Sequence, residues 1–167
     1  MKTYLIAIGS NMGDRLDFIR QAAHLVQAQC GKILDRSHLY ATEPVGAADQ
    51  EFLNAAFSLE SNLNPESLLK KLLDIEVSLG RTREVHWGNR SIDLDIILAK
   101  ESDGQPIQLN SKDLTIPHPR MLERDFVLTP TTDVAPDWTH PVSQKTLLNE
   151  LRSRFPNRLQ ALANLGF

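Results

Sequence analysis

Arg90-Ser91-Ile92-Asp93-Leu94-Asp95-Ile96-Ile97-Leu98 alternates Ile or Leu with polar residues until Ile97 breaks the pattern. Period-two alternation marks a strand with one face in a core, so Ser91 to Leu98 is predicted to be a sheet strand. Residues two apart on a strand point the same way, about 6.5–7 Å from each other, which sets Asp93 beside Asp95 and turns Ile92, Leu94 and Ile96 inward. Aspartate is disfavoured in strands and like charges repel, so the pair needs compensation. Two readings fit that spacing. Either the carboxylates straddle a pair of magnesium ions about 4 Å apart, the geometry that clamps a phosphoryl transfer, or they form ordinary salt bridges with Arg90 and Arg83 on a solvated sheet face.

Outward from this strand, Arg81 to Arg90 reads as a polar loop. It brings Arg81, Arg83, Arg90 and Trp87 to the entrance of the acidic strand. Guanidinium groups bind phosphate oxygens in bidentate fashion, and a loop carrying them can close over a polyphosphate; the plain alternative is a solvated loop with Trp87 as an apolar plug. Before it, Asn64 can cap a helix, Pro65 suits its first turn and Gly80 the residue after its last, with Leu68, Leu72, Ile75 and Leu79 as its buried stripe. Phe52 to Ser61 reads as a strand, and Ala41 to Glu51 as a loop of a length that is usually functional.

Towards the N-terminus, Tyr4 to Ile8 is a buried strand ending in a tight turn at Gly9-Ser10-Asn11, with Asn11 or Asp14 capping the helix that follows. Leu16, Ile19, Ala23, Val26 and Cys30 share one face of that helix, with Gly31 as its left-handed stop. A second strand is expected over Lys32 to Tyr40. Beyond the acidic strand, Lys100 to Gln105 reads as a turn between two short strands, and prolines leave helices over Glu123 to about Thr132 and Ser143 to Phe155. The order β, α, β, β, α, β with a helical tail predicts an α+β fold. Its expected form is a ferredoxin-like antiparallel sheet flanked by helices in a three-layer α/β/α arrangement, one domain over 1–167.

With 167 residues, one cysteine and a net charge of −3, the chain is expected to be a soluble cytoplasmic protein that neither spans a membrane nor grips nucleic acid through its phosphates. There is no Gly-x-x-x-x-Gly-Lys-Ser loop and no Gly-x-Gly-x-x-Gly fingerprint, so nucleotide binding must rest on arginines and metal. His118 and Arg124 stand beside the turn Pro117-His118-Pro119. A lone histidine there is more simply structural.

Together these stretches resemble the 6-hydroxymethyl-7,8-dihydropterin pyrophosphokinases of the folate pathway across nearly the whole chain. The resemblance rests on Ile8-Gly9-Ser10-Asn11, on Tyr40 with Thr42, Pro44 and Gly46, and on Phe52-Leu53-Asn54-Ala55-Ala56. It continues through Glu76, Gly80-Arg81-Thr82-Arg83, Trp87-Gly88, the acidic strand, Pro117-His118-Pro119-Arg120-Met121 and Arg124-Asp125-Phe126-Val127-Leu128. It implies transfer of the β,γ-diphosphate of ATP, with two Mg2+, to the pterin hydroxymethyl group, releasing AMP. It also implies a pterin stacked between Phe52 and Phe126 and read by Asn54 and the backbone around Thr42, Glu43 and Val45. For ATP it implies Glu76, Arg81, Arg83, Trp87, Arg90, Ile96 (backbone and apolar contact to adenine), His118 and Arg124. Asp93 and Asp95 would be the metal ligands, Arg83 and Arg90 catalytic partners, and the protein a monomer. Leu73, His86, Asp113 and Leu122 depart from residues common in the family.

Overall fold

The computed structural model describes residues 1–42, 50–80 and 91–167. In chain order the elements are β1 (Lys2–Ser10), α1 (Arg15–Gln29), β2 (Lys32–Arg36), β3 (Tyr40–Thr42), β4 (Phe52–Ser61), α2 (Pro65–Ser78), β5 (Asp93–Lys100), β6 (Leu109–Asn110), β7 (Thr115–Ile116), α3 (Asp125–Val134) and α4 (Leu147–Arg154). The main sheet is antiparallel, with order β2-β4-β1-β5 and β3 also paired to β4. That is the split βαβ arrangement expected from the order of elements. β6 and β7 form a separate hairpin sheet.

Alternate residues of β1 feed two cores. Tyr4, Ile6 and Ile8 meet Ile19 and Val26 of α1 and Leu68, Leu72 and Ile75 of α2, while Leu5 meets Met121, Val127, Leu128, Leu147 and Leu151 on the α3/α4 side. The sheet is therefore covered by helices on both faces, and each fully buried aliphatic side chain contributes about 1.5–3 kcal/mol. Asp14 caps α1 by accepting from Asp17 N, and Asn64 caps α2 by accepting from Ser67 N. Gly80 has φ +91°, the left-handed conformation expected after α2.

The break in alternation at Ile97 has a structural cause. Leu5 pairs with Leu98 but Ile6 pairs with Ile96, so Ile97 is an extra residue in β5. This bulge turns both Ile97 and Leu98 into the α3/α4 core, while Leu94 and Ile96 remain in the other.

Several expectations need correction. Gly31 is not a left-handed stop: α1 ends at Cys30 with φ −116°, and Gly31 is required because a Cβ there would sit 2.1 Å from Glu60 O. The strand expected over Lys32 to Tyr40 is divided into β2 and β3. Ser37 bridges the break, its N–H donating to Ala56 O and its hydroxyl accepting from Ala56 N, each at 2.8 Å. The turn after β5 forms, with Gly104 at φ +86°, but it leads to a single bridge, Lys100 to Pro106, rather than a paired strand. The last helix starts at Leu147, capped by Thr146, because His140 to Lys145 is occupied by a turn with Gln144 at φ 66°. No helix among the described residues is long and apolar enough to cross a membrane.

Candidate active site

Strand register builds the site. Tyr40 pairs with Asn54, Asn54 with Gly9, and Gly9 with Asp93, so one row crosses four strands. The next row on the same face runs Ala56, Ala7, Asp95. Strands lie about 4.8 Å apart, which sets the Asn54 and Asp93 backbones roughly 10 Å from each other with only glycine between them. This face also carries Leu5, over which α3 and α4 pack. The helix layer thus covers the Leu5 end, and the small side chains of Gly9 and Ala7 leave room beside the carboxylates.

Gly9 belongs to β1 rather than to a turn. A Cβ on it would stand 3.1 Å from Asn54 Oδ1 and 3.9 Å from Phe52 Cδ1. Asn54 is 7% exposed, and its Nδ2 donates to Thr42 Oγ1 at 2.7 Å. That bond fixes the amide plane, leaving Oδ1 over Gly9. Phe52 is half-buried at the start of β4, and Phe126 half-buried in the first turn of α3. Asn54, Phe52 and Thr42 are thereby brought together, as expected.

Asp93 is half-buried and Asp95 exposed on β5. Two hard carboxylate groups on one accessible face suit magnesium, which takes one or two carboxylates and completes its shell with water and phosphate oxygens. Among the described residues no cluster of three or more His, Cys, Asp or Glu gathers.

Arg124, immediately before α3, belongs to the same locality. Burial and then Arg120 hold its guanidinium below the usual arginine value, while Asp95 and Glu123 act in the opposite direction. It also lies 5.8 Å from the centroid of the Phe126 ring. His118 is placed by the β5 bulge, its N–H donating to Ile97 O at 2.9 Å. Its Nδ1 accepts from Arg120 N at 3.2 Å. Burial, then Arg124 and Arg120, push the imidazole below the usual histidine value, so at pH 7 it is neutral and carries its proton on Nε2. A donor rather than a bare charge therefore stands beside Arg124.

Two expected nucleotide contacts look different in three dimensions. Ile96 is 3% exposed and packs in the α1/α2 core, so its side chain offers no apolar surface to adenine. Glu76 is 2% exposed on α2, and its Oε2 accepts from Leu94 N at 2.8 Å. Glu43, Val45, Arg81, Arg83, Trp87 and Arg90, with Pro44, Gly46 and His86, lie outside the described residues.

A tight turn at Gly9 would leave its role hidden, since the close approach of Asn54 arises only within the strand. A glycine within a strand signals close approach, and β1 running on to Ser10 puts Gly9 in that position. Nor did spacing disclose that Tyr40 Oη donates to Asp133 Oδ2 at 2.5 Å, with His38 N donating to the same oxygen at 3.3 Å. These bonds tie the far end of α3 to β3, so α3 crosses the sheet with Arg124 and Phe126 at its opposite end.

Acidic groups that repel a polyphosphate and basic or donor groups that attract one occupy the same end of the sheet, beside an amide able to read a heterocycle. Such a combination suits an enzyme that moves phosphate onto a small organic acceptor, and the fold and site together define a transferase of that class. The family model described as 7,8-dihydro-6-hydroxymethylpterin-pyrophosphokinase matches residues 5–136. The chain is 44% identical over 131 residues to the 2-amino-4-hydroxy-6-hydroxymethyldihydropteridine pyrophosphokinase of Bacillus subtilis, covering 77% of this chain and 75% of that one. It is 39% identical over 145 residues to the Porphyromonas gingivalis protein of the same name, covering 84% and 95%. In structure it resembles Plasmodium falciparum HPPK-DHPS with TM-score 0.69 and 16% identity, over 98% of this chain; it spans 49% of that longer chain, and the likeness concerns the fold alone. The chain belongs to the 7,8-dihydro-6-hydroxymethylpterin-pyrophosphokinase family. It is accordingly an ATP-dependent diphosphotransferase of folate biosynthesis.

Proposed function

We propose that the chain joins the β-phosphorus of ATP to the hydroxymethyl oxygen of 6-hydroxymethyl-7,8-dihydropterin. The bond from that phosphorus to the α,β-bridging oxygen breaks, and AMP leaves. The observation that carries this reading is the row Asn54–Gly9–Asp93, which has only glycine between the Asn54 amide and Asp93, with Asp95 on the same face one row further along β5 beside Ala7.

In this reading Asn54, oriented by Thr42, pairs with the donor and acceptor edge of the pterin, and analogues lacking those groups are rejected because the amide would be left unpaired. Phe52 and Phe126 hold the ring flat, and Glu43 and Val45 complete its edge through backbone. The hydroxymethyl arm then lies towards Asp93 and Asp95. What two magnesium ions supply when held by this pair and the triphosphate is Lewis-acid activation of the hydroxyl and neutralisation of the moving diphosphate. His118 donates from Nε2 to a phosphate or ribose oxygen, Arg124 binds phosphate, and Ile96 meets adenine through its backbone. Arg83 and Arg90 neutralise charge that develops on the transferred group, and Arg81 and Trp87 join the contacts to ATP.

We further propose a single catalytic domain over 1–167 that acts as a cytoplasmic monomer on small substrates and takes neither nucleic acid nor membrane. The net charge of −3 supports the exclusion of nucleic acid, since attraction for phosphate is local rather than global. The test is an assay for AMP with Mg2+, ATP and the pterin, each omitted in turn. AMP is expected only when all three are present. Formation of ADP, or AMP release independent of the pterin, overturns the assignment.

A further inference from the structure

β5 is the last strand of the main sheet, and among the described residues its strand partner there is β1, with a single bridge from Lys100 to Pro106. Half of its N–H and C=O groups therefore face away from the sheet and need partners from elsewhere. Ala99 O receives Ile107 N and Ile97 O receives His118 N, both at 2.9 Å and both backbone to backbone. The arrangement at Leu94 is of another kind: its N–H donates to Glu76 Oε2, a side chain from the adjoining helix, at 2.8 Å.

Glu76 lies four residues after Leu72 on the inner face of α2 and is 2% exposed beside the fully buried Ile75. Burying a carboxylate is costly, and a helix packing apolar residues on a sheet gains nothing in area from one. The bond from Leu94 N gives this buried carboxylate a partner on the acidic strand. Leu94 lies between Asp93 and Asp95, so the peptide orientation fixed by Glu76 sets the direction of the side chains on either side.

We propose that Glu76 is a positioning residue for the metal-binding pair: by accepting from Leu94 N it holds Asp93 and Asp95 at the separation and aim that divalent cations require. This rests on the reading of that pair as the magnesium ligands. Residues that orient metal ligands from behind commonly change metal affinity 10- to 100-fold when lost.

The probe is Mn2+ titrated by electron paramagnetic resonance into the full chain with an unhydrolysable ATP analogue. Glu76→Gln, which keeps an acceptor oxygen at the same reach, is expected to stay within about threefold of the unsubstituted chain in Mn2+ affinity. Glu76→Met, of similar volume without the acceptor, is expected to bind Mn2+ at least about tenfold more weakly, with faster amide exchange at Leu94 and unchanged pterin affinity. Should the Met variant not fold, Glu76→Asp withdraws the oxygen by one methylene and is expected to weaken Mn2+ several-fold. Mn2+ affinity unchanged in both the Met and Asp variants, or a Gln variant as weak as Met, overturns the proposal. A loss of metal-free nucleotide affinity as large as the loss of Mn2+ also overturns it, since Glu76 would then act on the nucleotide. An Asp95→Ala variant that holds Mn2+ as tightly as the unsubstituted chain removes the reading of the acidic pair itself, and this proposal with it.

Discussion

Asn54 Oδ1 lies 3.1 Å from the point at which a Cβ on Gly9 would stand. That contact is tighter than a methyl group tolerates without displacing the amide, and Thr42 already holds the amide from its other end at 2.7 Å. Gly9→Ala is therefore expected to disturb the reader of the pterin edge more than the nucleotide side. Overpacking of this kind costs about 1–3 kcal/mol, and the pterin KM should rise roughly tenfold while the ATP KM moves little. Steady-state kinetics with each substrate varied checks this; equal changes in both would place Gly9 outside the pterin site.

Asp95 is exposed on β5 and shares a face with Asp93. Its removal leaves the Asn54 side of the site intact. Asp95→Ala is expected to reduce turnover by roughly 100- to 1,000-fold or more, the equivalent of several kcal/mol of charge stabilisation. Pterin affinity measured by titration calorimetry should stay near that of the unsubstituted chain. AMP formation at an undiminished rate would contradict the role given to this residue, and chelation of divalent ions should stop turnover reversibly.

Two histidines make stability sensitive to mild acid. Burial, then Arg124 and Arg120, depress His118; burial also depresses His140, with Glu150 opposing and Arg154 assisting. The unfolded chain binds these protons near pH 6.5, the folded chain only at lower pH. As pH falls from about 6.5 towards the folded values the unfolded state gains more protons, so stability declines through that window and levels off beneath it. His118 Nδ1 and His140 Nδ1 both accept backbone N–H bonds, and an asparagine oxygen can take that place without titrating. His118→Asn and His140→Asn should each flatten the fall of Tm between pH 7 and 5. A double variant with the original slope would show that other groups govern it.

Tyr40 is 4% exposed and anchors the C-terminal part of α3 through Asp133. A hydrogen bond to a charged group contributes about 1.5–3 kcal/mol, and partial exposure of Asp133 reduces that figure. Tyr40→Phe is expected to destabilise the chain by about 1–2 kcal/mol in urea unfolding. An undiminished midpoint would mean that His38 alone holds Asp133.

Local signals were legible wherever the cause lay within a few residues. Asp14 and Asn64 cap the helices they precede, Gly80 takes the left-handed turn, and the alternation of Ile92 to Ile96 marked a strand and the face of its carboxylates. The interruption at Ile97 was visible in the same pattern, although its meaning as a bulge depended on the register with β1. Gly31 stands where a helix stop is expected, but the atom that demands glycine there is Glu60 O, on a strand remote in sequence.

By itself the sequence determined the alternation of strands and helices through β5, the Asn64 cap and the pairing of Asp93 with Asp95 on one face, since each follows from bonds and sterics between near neighbours along the chain. Only the tertiary structure decided that Asn54, Gly9 and Asp93 form one row, that Ile96 turns away into the core, and that Glu76 reaches Leu94. Those facts depend on strand register and helix placement, which are set by packing summed over the two cores, and no short stretch of residues contains that sum.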